Sequence, residues 1–155
     1  MPDITEGSKA PAFDMATADG GRVSLDGLKG RKVVIYFYPK ADTPGCTTEG
    51  QDFSARIADF EQAGATVIGV SRDPVKKLEL FRTKYDLKVI LASDEPEDVT
   101  EAFGVWVEKK LYGREYMGIE RATFLIDGAG VVRQVWRKVS VKGHADEVLA
   151  ATKSL

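Results

Sequence analysis

The chain has 155 residues, 43% of them apolar and 30% charged, with a net charge of −2, which is the size and make-up of one soluble globular domain whose core needs no staples. A near-neutral, mixed-sign chain carries no electrostatic footprint for nucleic acid or an anionic membrane, and both are set aside as partners. Met1 to Gly7 lacks the basic and apolar regions of a leader, and no apolar run approaches ~18 residues, so the cytoplasm is the expected compartment and residues 1–155 are expected to form a single domain.

Residues 1 to 12 read as an irregular lead-in. Phe13 and Met15 then alternate against polar neighbours, Ala18 to Arg22 supplies turn chemistry, and Val23 and Leu25 return, which is the pattern of a short hairpin. Val33-Val34-Ile35-Tyr36-Phe37-Tyr38 is continuous, β-branched and aromatic, the signature of a strand buried on both faces, and Pro39 ends it because proline cannot donate to the ladder. Thr43-Pro44-Gly45 is turn chemistry, and Phe53, Ile57 and Phe60 fall at helical spacing behind it, predicting one helix that opens around Cys46 and ends at Gly64. Gly50 lies inside that helix, where it weakens the interior and favours fraying.

A second β-branched run covers Thr66 to Val70. Its helix is predicted to start with Asp73 as N-cap and Pro74 at the first position, with Leu78, Phe81 and Tyr85 as the buried stripe. Val89 to Ala92 is a short apolar segment, followed by a brief helix ending at Phe103-Gly104. Residues 108 to 118 are charged and glycine-punctuated and read as strand ends around a loop, with Lys109-Lys110 solvated. Ala122 to Ile126 and Val131 to Trp136 are strands joined by Asp127-Gly128-Ala129-Gly130, and a last helix covers Ala145 to Lys153. The order βαβα, insertion, ββα, with an added N-terminal β-hairpin, is that of an α/β thioredoxin-like fold.

The chemistry gathers at Cys46, the single cysteine. One cysteine cannot make an internal disulfide, and an unpaired thiol suits a reducing compartment. At the first turn of a helix, backbone amides without intrahelical acceptors and the positive end of the dipole favour a thiolate over a thiol. A free cysteine is otherwise most often a small buried hydrophobe, but the polar, turn-rich loop before Cys46 argues for the reactive reading.

Pro39-x-x-x-Thr43-x-x-Cys46, within Tyr-Pro-Lys-Ala-Asp-Thr-Pro-Gly-Cys-Thr-Thr-Glu, resembles the peroxidatic motif of the peroxiredoxins, and its form is similar to the bacterioferritin comigratory protein (Q-type) subgroup. A second block, Gly104 to Gly113 and Tyr116 to Arg121 running into Thr123 to Asp127, is similar to the same subgroup. The resemblance implies a peroxiredoxin-type thioredoxin-like fold with Cys46 as peroxidatic nucleophile, Thr43 as the hydroxyl contacting sulfur and peroxide, and Arg121 as the guanidinium that holds thiolate and substrate. The fork of donors on an always-charged arginine suits a developing oxyanion. The amides of Gly45 and Cys46 are further donors to substrate, Pro39 would pack over the cysteine and exclude water, and Glu49 would orient Arg121. Standing alone, Arg121 would be a surface charge at a strand start, Thr43 a turn residue and Glu49 a first-turn carboxylate.

His144, the only histidine, would be needed by a Cys-His hydrolase; at the opening of the last helix it reads as an exposed capping residue. Trp106, Tyr112, Tyr116 and Trp136 read as core or rim packing. The resolving cysteine that many Q-type members carry five residues after the peroxidatic one is replaced by Gln51, and residues 74 to 86 hold none. The resemblance therefore implies a one-cysteine peroxidase reducing hydrogen peroxide and organic hydroperoxides without metal, flavin or haem. Its sulfenic acid would be recycled by an external thiol (thioredoxin, glutaredoxin or a small thiol), and the protein would be a monomer or weak homodimer. The other reading is a redox sensor or interaction module acting through mixed disulfides at the same cysteine.

Overall fold

Burial on alternating sides explains why the run from Val33 to Phe37 is unbroken in hydrophobicity: Val34 and Tyr36 join one core cluster, Val33, Ile35 and Phe37 the other. The structure, a computed structural model, describes residues 4–155. Its elements in order are β1 (Asp14–Thr17), β2 (Arg22–Ser24), β3 (Lys32–Phe37), α1 (Pro44–Ala55), α2 (Ile57–Gln62), β4 (Ala65–Ser71), α3 (Val75–Tyr85) and β5 (Ile90–Ser93). They are followed by α4 (Val99–Ala102), β6 (Trp106–Leu111), β7 (Arg114–Ile119), β8 (Ala122–Ile126), β9 (Val132–Trp136) and α5 (His144–Lys153). A 7-stranded sheet has the order β2-β1-β5-β4-β3-β8-β9, with β3 flanked by parallel β4 and antiparallel β8. The β1–β2 hairpin joins it through β1 and β5. On one face Phe53, Phe60, Leu78, Phe81 and Val148 come from the helices; on the other Phe37, Phe103 and Phe124 meet ring to ring.

Three local readings change. The helix expected to run from Cys46 to Gly64 is two helices, α1 and α2, broken at Arg56 (φ −110°, ψ 10°). Arg56 donates to the Asp52 carbonyl at 2.8 Å and pairs with Asp146 of α5 at 2.5 and 3.1 Å, a tertiary contact that the 3.6-residue period does not reveal. Pro74, not Asp73, holds the N-cap position of α3; the Asp73 carboxylate instead accepts from the Ala41 amide at 2.8 Å and the Ser71 hydroxyl at 2.7 Å. The short α4 is capped from upstream by Asp94, which accepts from the Val99 and Thr100 amides.

Residues 108 to 118, read as strand ends around a loop, have strands on both sides but only a two-residue turn, Tyr112-Gly113, between them. They belong to a continuous antiparallel hairpin, β6–β7, in register from Trp106–Ile119 to Leu111–Arg114. Both residues of its turn, Tyr112 (φ 51°) and Gly113 (φ 75°), are left-handed, which suits the right-handed twist of the strands it joins. Lys109 and Lys110, expected in a solvated loop, are strand residues. The hairpin is anchored at its base, where Ile119 is buried and the Arg72 guanidinium stacks 3.5 Å over Trp106. Tyr112, expected to pack, is 96% exposed at the tip. Among the described residues no helix is long and apolar enough to cross a membrane.

Candidate active site

The loop after β3 is tied from both sides before it becomes a helix. Asp73 holds Ala41 from below β4, while Asp42, itself left-handed (φ 62°), accepts from Lys84 at 2.9 Å and Tyr85 at 2.5 Å of α3. Thr43 is extended (φ −99°, ψ 155°), Pro44 opens α1, and the Thr47 amide closes the first turn on the Thr43 carbonyl at 2.9 Å. Pro44 suits this place because its missing N–H would have had no acceptor there. Cys46 is the third residue of α1, so its amide and that of Gly45 are among those a helix start leaves without intrahelical acceptors. Its thiol is free and the residue is 2% exposed, within the cluster that holds Tyr36, Tyr38 and Phe53.

Pairing of β3 with β8 puts Phe37 opposite Ala122, and this register sets Arg121 beside the loop that follows β3. Arg121 Nη2 donates to Cys46 Sγ at 3.3 Å and Nη1 donates to Glu49 Oε1 at 2.6 Å. Cys46 and Glu49, three residues apart on α1, present one face to the guanidinium. Gly45 lies close under the guanidinium: a Cβ on it would stand 3.3 Å from Arg121 Nη2. Glu49 is 1% exposed, its Oε2 has no hydrogen-bond partner among the described residues, and burial pushes its carboxyl up to about 7 against the downward pull of Arg121.

The Thr43 hydroxyl donates to the Lys40 carbonyl at 2.8 Å rather than to Cys46, and Pro39 is solvent-exposed. Gly50 is not a weak point but a contact: a Cβ there would meet Leu87 Cδ1 at 3.3 Å, so its absence lets α1 lie against Leu87.

His144, expected to be exposed, is buried. Its Nε2 shares a 2.8 Å hydrogen bond with Thr123 Oγ1, its ring meets Phe53 and Trp136 edge-on, and burial pulls its pKa below the ordinary value. Gly143 (φ 76°) takes the cap position, leaving the histidine inside the first turn of α5. Lys109 is the residue the sequence hid most completely. It is half-buried, its stem lies over Gly118, and burial, with the Arg121 charge, holds its ammonium below the ordinary lysine value. The alternation of Val107, Lys109 and Leu111 before a Tyr-Gly turn was the available signal. A cleft of about 510 Å³ also opens between the starts of α1 and α5, lined by Pro44, Gly45, Thr48, Arg56, Lys142 and Asp146 among others.

A buried lone thiol at a helix start, fed by a central strand and met by an arginine fork from the neighbouring strand, defines a thiol-based redox protein of thioredoxin-like fold. The chain belongs to the AhpC/TSA family, whose model matches residues 7–135. Within it the chain is 49% identical over 146 residues to a putative peroxiredoxin bcp of Coxiella burnetii, covering 94% of this chain and 97% of that one. It is 47% identical over 156 residues to peroxiredoxin Bcp of Xanthomonas campestris, covering 99% and 98%. A cysteine-to-serine mutant of Xylella fastidiosa PrxQ superposes with a TM-score of 0.93 at 37% identity, covering 99% of this chain and 98% of that one. The Xanthomonas campestris bacterioferritin comigratory protein, studied for alkyl peroxide reduction, superposes with a TM-score of 0.87 at 48% identity, covering 92% and 90%. The present chain is a one-cysteine variant of that group.

Proposed function

We propose that Cys46 is the sulfur through which this thiol-dependent peroxidase reduces hydrogen peroxide and organic hydroperoxides. The observation that carries the reading is the 3.3 Å contact from Arg121 Nη2 to a buried sulfur at the start of α1. The thiolate attacks the terminal peroxide oxygen: an S–O bond forms, the O–O bond breaks, and its electron pair leaves with the other oxygen as an alcohol or water once protonated. Arg121 neutralises charge on sulfur and on the departing oxygen, Glu49 fixes the guanidinium from its far side, and the amides of Gly45 and Cys46 are free to donate to the substrate. Thr43 and Pro39 shape the loop, Thr43 through its bond to Lys40. A Thr43 hydroxyl whose proton is taken by Lys40 still offers lone pairs to a bound peroxide.

The sulfenic acid has no second cysteine to meet, so the cycle runs through an external thiol. That thiol attacks the oxidised sulfur, water leaves, and a second thiol releases the mixed disulfide. The cleft between α1 and α5 offers the reductant a path to the first turn of α1. Such a cycle suits cytoplasmic redox homeostasis in a monomer or weak homodimer. The test is turnover with dithiol together with intact mass after one equivalent of peroxide. The wild type should consume many equivalents and show a single added oxygen without an intramolecular disulfide, and Cys46→Ser should do neither. One equivalent consumed and then none, with dithiol present, would favour the sensor reading.

A further inference from the structure

Arg121 carries one positive charge and holds two acids. Its Nη2 donates to Cys46 Sγ at 3.3 Å and its Nη1 to Glu49 Oε1 at 2.6 Å, and the two acidic residues are 2% and 1% exposed. With thiol and carboxyl both ionised, the single fork would leave a net negative charge buried, so the two groups titrate as a pair rather than independently. The other groups around them bring no second positive charge into contact. Burial keeps the phenols of Tyr36 and Tyr38 on β3 neutral, Asp52 of α1 adds repulsion, and burial disfavours the charged form of His144 on α5. Lys109 of β6 makes no hydrogen bond or ion pair with Cys46, Glu49 or Arg121 among the described residues.

Two local features decide which acid keeps the proton. Cys46 is the third residue of α1 and Glu49 the sixth, so the unpaired amides and the dipole of the first turn favour charge on the sulfur and have faded at the carboxyl. Glu49 Oε2, in addition, is buried without a hydrogen-bond partner among the described residues. A charged oxygen there would lack both water and donor, a heavier cost than a neutral carboxyl bears in the same place. Burial accordingly raises the carboxyl to about 7 even with Arg121 beside it.

We propose that Glu49 keeps its proton while Cys46 is a thiolate and gives it up when the sulfur is oxidised, so that Arg121 faces one negative charge throughout the cycle. As the S–O bond forms and the O–O bond breaks, the electron pair departs on the other oxygen, which takes a proton from water. The sulfenic acid is neutral, the guanidinium is left with Glu49 alone, and the carboxyl releases its proton to water. Thiolate, carboxyl and hydroperoxide thus give sulfenic acid, carboxylate and alcohol or water. When an external thiol restores the thiolate, Glu49 takes a proton back. Glu49 is a positioning residue that acts through Arg121, holding the fork in place as one anion replaces the other. The inference rests on Cys46 being the attacking sulfur.

The test is the infrared difference spectrum of the wild type before and after one equivalent of hydrogen peroxide, a little below pH 7. Oxidation should remove the C=O stretch of one protonated carboxyl and add carboxylate bands, and Glu49→Gln should show neither change. A pH indicator in weak buffer gives a second readout. The wild type should exchange no net proton per peroxide consumed, whereas Glu49→Gln, with nothing to release, should take up one. A carboxyl band unchanged by oxidation, or proton uptake by the wild type, overturns the proposal, and both readings stand without the variant. Absence of uptake in folded Glu49→Gln overturns it as well. Peroxide consumption by Cys46→Ser would instead remove the reading on which the inference rests, a result distinguishable because it involves no change at Glu49.

Discussion

β3 and the β6–β7 hairpin stand in opposite kinds of environment. Val33 to Phe37 are all buried, between parallel and antiparallel neighbours, whereas Arg114 to Met117 of the hairpin are all exposed and its strands pair only with each other. Around β3, α1 and β8, the geometry of Cys46, Glu49 and Arg121 is set by close packing, so chemistry and stability are coupled there. In the hairpin, a turn, a backbone register and one buried anchor set the direction of Lys109. Its outer face can therefore be changed at little cost to the fold.

The sharpest break in that comparison comes from Arg121→Lys. Charge is kept, but one ammonium cannot donate to Cys46 and Glu49 as a planar fork does. The second-order rate of Cys46 oxidation should fall by roughly 10²- to 10³-fold. A rate within about threefold of wild type, measured by stopped flow, would take Arg121 out of the chemistry.

Next in size is Gly69→Ala in β4. Its Cβ would stand 2.6 Å from both Cζ and the hydroxyl of Tyr36, a ring stacked on Phe53 with centroids 4.6 Å apart, so this overpacking should cost about 1 to 3 kcal/mol in urea unfolding. An unchanged midpoint would mean that the packing behind α1 yields easily.

A smaller effect separates the buried carboxyl from the buried histidine. Glu49 ionises near 4.5 in the unfolded chain and at about 7 when folded, so across that window the folded state holds more protons. Stability should fall as pH rises through it and level off above. His144 works in the other sense: its folded value lies below the ordinary 6.5, so its contribution is lost as pH falls below that value. Glu49→Gln keeps an acceptor for Arg121 and removes only the first slope. The melting-temperature difference, variant minus wild type, should therefore widen from pH 4.5 towards 7; a flat difference would show that Arg121 overcomes the burial. The smallest effect belongs to the hairpin: Tyr112→Ser, at a residue 96% exposed, should change stability by no more than ~0.5 kcal/mol.

Much of this was legible in the chain because it is local. The unbroken run from Val33 to Tyr38, the proline that stops it and the Thr-Pro-Gly turn place a thiol at a helix start, since strand burial, ladder termination and helix initiation are each decided within a few residues. What joins residues far apart was not legible in that way. Arg121 lies 75 positions from Cys46, and its nearness follows from the pairing of β3 with β8; only the resemblance of its motif named it in advance. The tie from Asp73 to Ala41, the break at Arg56 and the burial of His144 against Thr123 depend on partners 32, 90 and 21 positions away in sequence. Local propensity read these residues as a cap, a helix interior and an exposed helix opening. Lys109 is the clearest case: charge and neighbouring glycines suggest a solvated loop, and only the strand pairing that sets it opposite Tyr116 lays its stem over Gly118. The sequence by itself determined that a lone thiol stands at a helix start behind a buried strand. The tertiary structure decided which of them meet, because strand register and packing order bring together groups that no local period relates.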